Sequence, residues 1–243
     1  MVDYLYDGSF EGFLTCIYWH YYGEKASGIY PAAQYQPSLF YGFTEVQTEA
    51  EKATRVYEAI EKKISAYDLQ RIYRVFLSSV ENRELLLLNY IRLGFKEGSK
   101  TSLLHGNPYV FPVAQAEKKI GAEVHRLYGL LRFSVLEGDI LYAVVEPDHD
   151  ILEFMAEHFS DRYKHDPFIL HDKRRGKALV AQGGEWYITA FTEANLPQFS
   201  AQEQEYRALW KKYFQTIAIQ ERTNPTCQKN FMPVRYWKHL TEI

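Results

Sequence analysis

Residues 127–147, LYGLLRFSVLEGDILYAVVEP, mark where the pattern of the chain changes. Two β-rich runs, LYGLLRFSVL and DILYAVVEP, flank Glu137-Gly138, a pair suited to a tight turn, so the stretch predicts a β-hairpin. Pro147 closes the second run, and Asp148 or Asp150 stands where it can cap a helix running to about Tyr163. Three further β-rich runs follow, PFILHD, KALVAQ and EWYITAF, joined by turns at Arg175-Gly176 and Gly183-Gly184. This half therefore reads ββαβββ, an antiparallel sheet region. Ser200 and Glu203 then have capping-box spacing, opening a helix with Tyr206, Leu209, Trp210, Tyr213, Phe214 and Ile217 on one face.

Toward the N-terminus the period changes to that of helices. Residues 3–6 read as a short strand. Asp7-Gly8-Ser9 turns into a helix with Phe10, Phe13, Leu14, Ile17, Tyr18 and Tyr21 along one face. A loose stretch rich in Gly, Pro and Tyr runs to about residue 38, and LFYGFTEV (39–46) reads as a second strand. Thr48 and Glu51 have capping-box spacing and open a helix to about Ser65. Helices over 66–79 and 81–96 follow, the second stopping near Gly98. Another begins at Asn107, with Pro108 in its first turn and Pro112 as an interruption. The fold class is α+β: a helical N-terminal half with a short N-terminal strand, then the sheet region, a C-terminal helix and an irregular, pinned tail. We expect a single compact domain over 1–243, subdivided at 127/128 where the pattern shifts.

Hydrophobic residues make up 47% and charged residues 24% of the 243, which is the balance of a globular chain. A net charge of −3 excludes a uniformly cationic duplex-coating protein, yet leaves room for a local basic face. Aromatic residues, at 16%, serve either core packing or base stacking, and composition does not separate the two. No basic segment followed by an apolar run opens the chain, and no window approaches the ~18 apolar residues of a membrane span, so a cytoplasmic protein is expected. Cys16 and Cys227 are the only cysteines, too few for a disulfide framework, a zinc cluster or an iron–sulfur centre; no metal or cofactor is expected. Phosphate-binding loops, dinucleotide fingerprints, G-x-S-x-G elbows, H-E-x-x-H pairs and the zinc-deaminase pattern are all missing.

The candidates for chemistry are local clusters. In AEVHRLYGLLRF, Glu123 and His125 can serve as acid–base groups, with Arg126 and Arg132 nearby, or His125 can cap a helix end. In EPDHDILEF, Glu146, Asp148, His149 and Asp150 can hold a hard divalent cation or simply start a helix. RYKHDPFILHDKRRGK (162–177) sets six Lys/Arg against two Asp, and Lys173, Arg174 and Arg175 fall in a turn where they can grip phosphates or just keep a hairpin tip soluble. His171-Asp172 beside them can be a catalytic pair or a turn hydrogen bond. In ERTNPTCQKNFMPVRYW (221–237), Asn224-Pro225 reads as a helix stop and Pro233 as a turn. Arg222 and Arg235 make this segment mildly basic, while Met232, Tyr236, Trp237 and Leu240 can pack it down.

Six stretches carry a resemblance: YDGSFEGFLT (6–15), NYIRLGF (89–95), HRLYGLLRF (125–133), LYAVVEPDHDILEFMAEHF (141–159), FILHDKRR (168–175) and ERTNPTCQKNFMPVRYW (221–237). On them the chain resembles a bacterial family of DNA metabolism or DNA repair proteins built on a domain of unknown function. The resemblance implies a genomic neighbour, a radical-SAM protein acting on DNA, and related domains fused to uracil-DNA-glycosylase-like modules. This chain has no glycosylase motif and lacks the clustered cysteines of a radical-SAM enzyme, so it looks like the partner or accessory component. The resemblance assigns no catalytic mechanism.

Three readings follow, and the sequence does not decide whether the chain is an enzyme. The first is a DNA-repair or DNA-processing protein that binds nucleic acid through Lys173, Arg174, Arg175, Arg222 and Arg235 and works with a radical-SAM partner. The second is an enzyme acting on a damaged base or phosphodiester, with His125, Glu123, Asp148 and His171 as its acid–base or metal groups. The third is a structural subunit that stabilises the radical-SAM protein without touching DNA.

Overall fold

The computed structural model describes residues 2–37 and 42–242. The protein is α+β and divides into two compact units, Met1–Ile120 and Gly121–Ile243.

In the N-terminal unit the short strand β1 (Val2–Tyr6) is buried along its whole length, as the central strand of a parallel sheet must be. It pairs in parallel with β2 (Ala26–Pro31) on one side and β3 (Phe43–Glu45) on the other. The β2 strand falls in the stretch expected to be loose; its pairing with β1 outweighs the weak local propensity of ASGIYP. Residues 39–41 of the expected LFYGFTEV strand lie outside the described residues, and β3 occupies only Phe43–Glu45 of the rest. Helix α1 (Phe10–Tyr22) is capped by Ser9, whose Oγ accepts the Gly12 N–H at 2.9 Å. Gly12 is required here because a Cβ would come within 2.4 Å of Asp7 Oδ1.

Helices α2 (Ala50–Lys63), α3 (Ala66–Phe76) and α4 (Arg83–Glu97) complete this unit with the first part of α5 (Phe111–Leu130). Phe13, Ile17, Ile60, Ile72, Leu87 and Ile91 are fully buried at its centre. Several polar groups inside are paired across elements: Tyr6 Oη donates to Glu84 at 2.9 Å, Tyr90 Oη donates to Asp68, and Arg71 donates to Glu117 at 2.8 Å. Two sequence expectations are corrected. Thr48 caps nothing, since its hydroxyl donates to Asp7 Oδ2 at 2.8 Å. Pro112 does not interrupt a helix but sits in the first turn of α5, where its missing N–H costs nothing.

In the C-terminal unit α5 persists to Leu130, so LYGL is helical and the hairpin begins later, with β4 (Ser134–Leu136) and β5 (Ile140–Val145). Helix α6 (Leu152–Arg162) carries the chain to β6 (Phe168–Asp172), then β7 (Lys177–Gln182) and β8 (Glu185–Ala190) in the order β4-β5-β6-β7-β8. The ββαβββ order stands, and the sheet is mixed. Three pairings are antiparallel, while β5 and β6 are parallel, as strands joined by a crossover helix are. Gly183 and Gly184 both have positive φ, which a two-residue hairpin turn demands. Ile151, Leu152, Met155, Phe168, Leu170 and Leu179 form the core, with Phe133 packed edge-on against Phe159 and Phe168.

Helix α7 (Ala201–Ile217) has no side-chain cap from Ser200, and Glu203 instead accepts the Val135 N–H at 2.9 Å. Its aromatic and aliphatic face, from Tyr206 to Ile217, is exposed. Asn224-Pro225 does not stop this helix. It starts α8 (Pro225–Phe231), with Asn224 Oδ1 accepting the Cys227 N–H and Pro225 in the first turn. A 3₁₀ turn, Val234–His239, follows and buries Tyr236, as Leu240 beyond it is buried. Among the described residues no helix is long and apolar enough to cross a membrane.

Candidate nucleic-acid interface

The chain leaves β5 at Val145 and has six residues in which to turn before α6 begins. That turn is organised by one buried carboxylate. Glu123 of α5 accepts the backbone N–H of Asp148 at 2.9 Å and of His149 at 3.0 Å. The Tyr236 hydroxyl donates to it at 2.5 Å, and Arg235 Nη2 stands 3.3 Å away. Burial by itself would raise the pKa of this group. The Tyr236 hydroxyl and the two N–H donors outweigh burial and hold Glu123 below the usual carboxylate range. Tyr236 is pushed up by burial and by the Glu123 charge, so it stays a donor. Burial also lowers the pKa of His149, against the pull of Glu123 and Asp148.

The Asp148 side chain faces outward, contrary to a helix-capping role, and neither it nor Asp150 caps α6. It receives Arg235 Nη2 at 2.8 Å and Arg174 Nη1 at 3.7 Å. Arg175 is committed elsewhere: it donates to the carbonyls of Pro147 and Asp148 at 3.1 and 2.7 Å and to Asp172 at 2.8 Å. Asp172, fully buried, also accepts the N–H groups of Arg174 and Arg175. The β6–β7 turn is thereby tied to the loop after β5. Lys173, half exposed, pairs with Glu193 at 3.1 Å.

Of the residues singled out in the sequence, Glu123, Asp148, His149, Asp172, Arg174, Arg175, Arg235 and Tyr236 meet in this network. His125 is exposed on α5, and Arg222 is exposed in a 3₁₀ turn with no ion pair among the described residues. His171 is buried on β6 against the Tyr142 hydroxyl at 2.9 Å; burial and Lys173 lower its pKa, against Glu193. The EPDHD carboxylates disperse to separate cations: Glu146 to Lys238 at 2.7 Å, Asp148 to Arg235, and Asp150 to Lys177.

Sequence reasoning missed the cleft on the neighbouring sheet face. Two cavities of about 190 and 560 Å³ share Tyr142, Val144 and Phe199 in their linings. Arg132, Arg207 and Lys238 stand at one end and Leu136, Leu196 and Pro197 at the other. These cations are also paired, Arg132 with Glu242 at 2.5 Å and Arg207 with Glu203 at 2.8 Å. No local motif in the sequence announces this cleft, because its lining comes from the α5–β4 connection, β4, β5, the loop before α7, α7 itself and the tail.

The model of a domain of unknown function, DUF4130, matches residues 81–242, two thirds of the chain and all of the network just described. The chain belongs to the DUF4130 family. The DUF4130 match takes in the C-terminal segment with Arg235 and Tyr236, so this segment is part of the domain. A comparison with curated proteins finds no match.

Proposed function

We propose that this DUF4130 protein binds nucleic acid in DNA metabolism, contacting phosphates through Arg174 and Arg235 with Lys173 beside them, and acts together with a radical-SAM protein. The observation that supports it is the meeting of Arg174 and Arg235 on the single carboxylate of Asp148. Both guanidinium groups are about half exposed, so a phosphate can compete with Asp148 for the same forked donors. Arg222, exposed and unpaired among the described residues, is a further contact, whereas Arg175 is a structural group. The DNA context and the radical-SAM partner come from the family resemblance. Replacing Arg174 and Arg235 by Ala tests the reading: affinity for DNA should drop and its salt dependence should flatten by about one unit of slope per lost contact. An unchanged slope refutes it.

A structural role toward a protein partner has its own support in the exposed face of α7, where Tyr206, Leu209, Trp210, Tyr213 and Ile217 stand uncovered. Co-purification with the radical-SAM protein, with and without DNA, separates the two roles, and Trp210→Glu should break the protein contact alone. The enzyme reading has no comparable support. The carboxylate of Glu123 is saturated by its donors, and His125 and His171 lie outside that network.

A further inference from the structure

A second surface, in the N-terminal unit, combines aromatic rings with cations in a different way. A groove of about 560 Å³ runs between α1 and α2 and is lined by Tyr18, Tyr21, Tyr22, Arg55, Lys63 and Phe95, among others. Tyr22 is 63% and Tyr21 47% exposed, unusual for rings that have a folded core beside them. Tyr18 and Tyr22 stack with centroids 4.5 Å apart. Arg55 lies over both, 5.2 Å from the Tyr22 ring and 5.8 Å from the Tyr18 ring, and Lys63 is 6.0 Å from Phe95.

The cations of the C-terminal turn are matched with carboxylates. Here Arg55 and Lys63 have no carboxylate partner among the described residues; both lie over ring faces, and Arg55 also donates to the Tyr22 hydroxyl at 3.4 Å. Among the described residues, Lys62 is the one cation of the lining with a carboxylate partner, Glu58 at 2.7 Å. Cations without carboxylate partners beside exposed tyrosines suit a ligand that is anionic and flat. Unpaired bases on a phosphate backbone fit both requirements, whereas duplex bases are already stacked on each other.

We propose that this groove binds single-stranded nucleic acid, stacking unpaired bases on Tyr21 and Tyr22 and holding phosphates with Arg55 and Lys63. The identity of the ligand rests on the function proposed above; the groove is a separate site with separate residues. The test is fluorescence anisotropy of the full chain with labelled oligothymidylate and with a duplex of equal length. Four variants are compared with wild type: Tyr21→Ala/Tyr22→Ala, Tyr21→Phe/Tyr22→Phe, Arg55→Ala and Arg174→Ala/Arg235→Ala. The Ala pair should weaken single-strand binding at least about tenfold and spare duplex binding, the Phe pair should keep single-strand binding, and Arg55→Ala should flatten its salt dependence.

Unchanged single-strand affinity in the Ala pair, with Arg174→Ala/Arg235→Ala weakened, overturns the groove and leaves the proposed function standing. Loss in the Ala pair with Arg174→Ala/Arg235→Ala unaffected supports the groove and removes the phosphate contacts proposed at Asp148. Wild type binding neither oligonucleotide overturns both, and loss of a protein partner alone makes the groove a protein dock and overturns the proposal. Should the Ala pair fail to fold, photo-crosslinking of bromouracil-substituted oligonucleotide to wild type decides. Adducts on Tyr21 or Tyr22 support the site, and adducts confined to residues 121–243 overturn it.

Discussion

Glu123→Ala is the most demanding perturbation of the C-terminal unit. It removes the acceptor of the Asp148 and His149 N–H groups and of the Tyr236 hydroxyl, while Arg235 keeps Asp148. A buried donor left without an acceptor costs about 1–3 kcal/mol, and removing one partner of a buried charged network costs about 3–5 kcal/mol. The expected loss is therefore about 3–5 kcal/mol, part of the nominal sum being recovered by water entering the gap. At roughly 4 °C per kcal/mol for a unit of this size, the melting temperature should fall by about 10–20 °C. Glu123→Gln keeps one carbonyl acceptor and should lose less than Ala. Tyr236→Phe deletes one hydrogen bond to a charged acceptor, worth about 1.5–3 kcal/mol. Urea unfolding followed by tryptophan fluorescence suits the test, because Trp186, Trp210 and Trp237 lie in residues 121–243 and only Trp19 lies outside. Glu123→Ala unfolding within about 1 kcal/mol of wild type, or no coupling in the Glu123→Gln/Tyr236→Phe cycle, would refute the reasoning.

Stability should fall on acidification in two stages. His20, His149, His171 and His239 have depressed pKa values, with burial the largest cause, so their contribution is present above the ordinary histidine pKa of about 6.5 and is lost as pH drops below it. Glu123, Glu203 and Glu242 are also depressed; their contribution holds above the ordinary glutamate pKa of about 4.3 and disappears as pH falls through the lowered values, which melting curves between pH 8 and 3 would display. Arg175→Ala should destabilise the fold by about 1–3 kcal/mol in urea titrations, since it strands Asp172 and two carbonyls, whereas Arg174→Ala should change stability by less than about 0.5 kcal/mol. Thiol labelling of the native protein should modify exposed Cys227 and spare Cys16, which is fully buried with its thiol pushed up to about 12; rapid modification of Cys16 would contradict the packing of α1.

Elements defined by local pattern were readable from the residues. The β4–β5 hairpin, the glycine turns and the stop of α4 at Gly98 rest on interactions between near neighbours. Features settled by distant partners were not. ASGIYP becomes a strand because β1 lies beside it, and β5 pairs in parallel with β6 because α6 intervenes. Thr48 and Ser200 have the spacing of caps, but Asp7 and Val135 supply competing partners that no local rule can see. Asn224-Pro225 is ambiguous in principle, since the same pair that ends one helix can begin another. The site shows the same division. Arg174 and Arg235 stood out by charge and by company, but their common acceptor required the fold. Tyr236 was read as packing alone, because its bond to Glu123 spans 113 positions.

That span has a consequence for how the chain is made. Glu123 emerges from the ribosome long before Tyr236 and Arg235 do. At about 5–20 residues per second, 113 positions correspond to roughly 6–23 s of elongation. The sheet strands, which end at Ala190, are complete before Arg235 and Tyr236 are made, and until then the carboxylate that organises the loop after β5 lacks two of its donors. The C-terminal unit can collapse in this period yet cannot close around Glu123. Synonymous changes that slow translation between β8 and α8 would lengthen the exposed interval without altering a single residue.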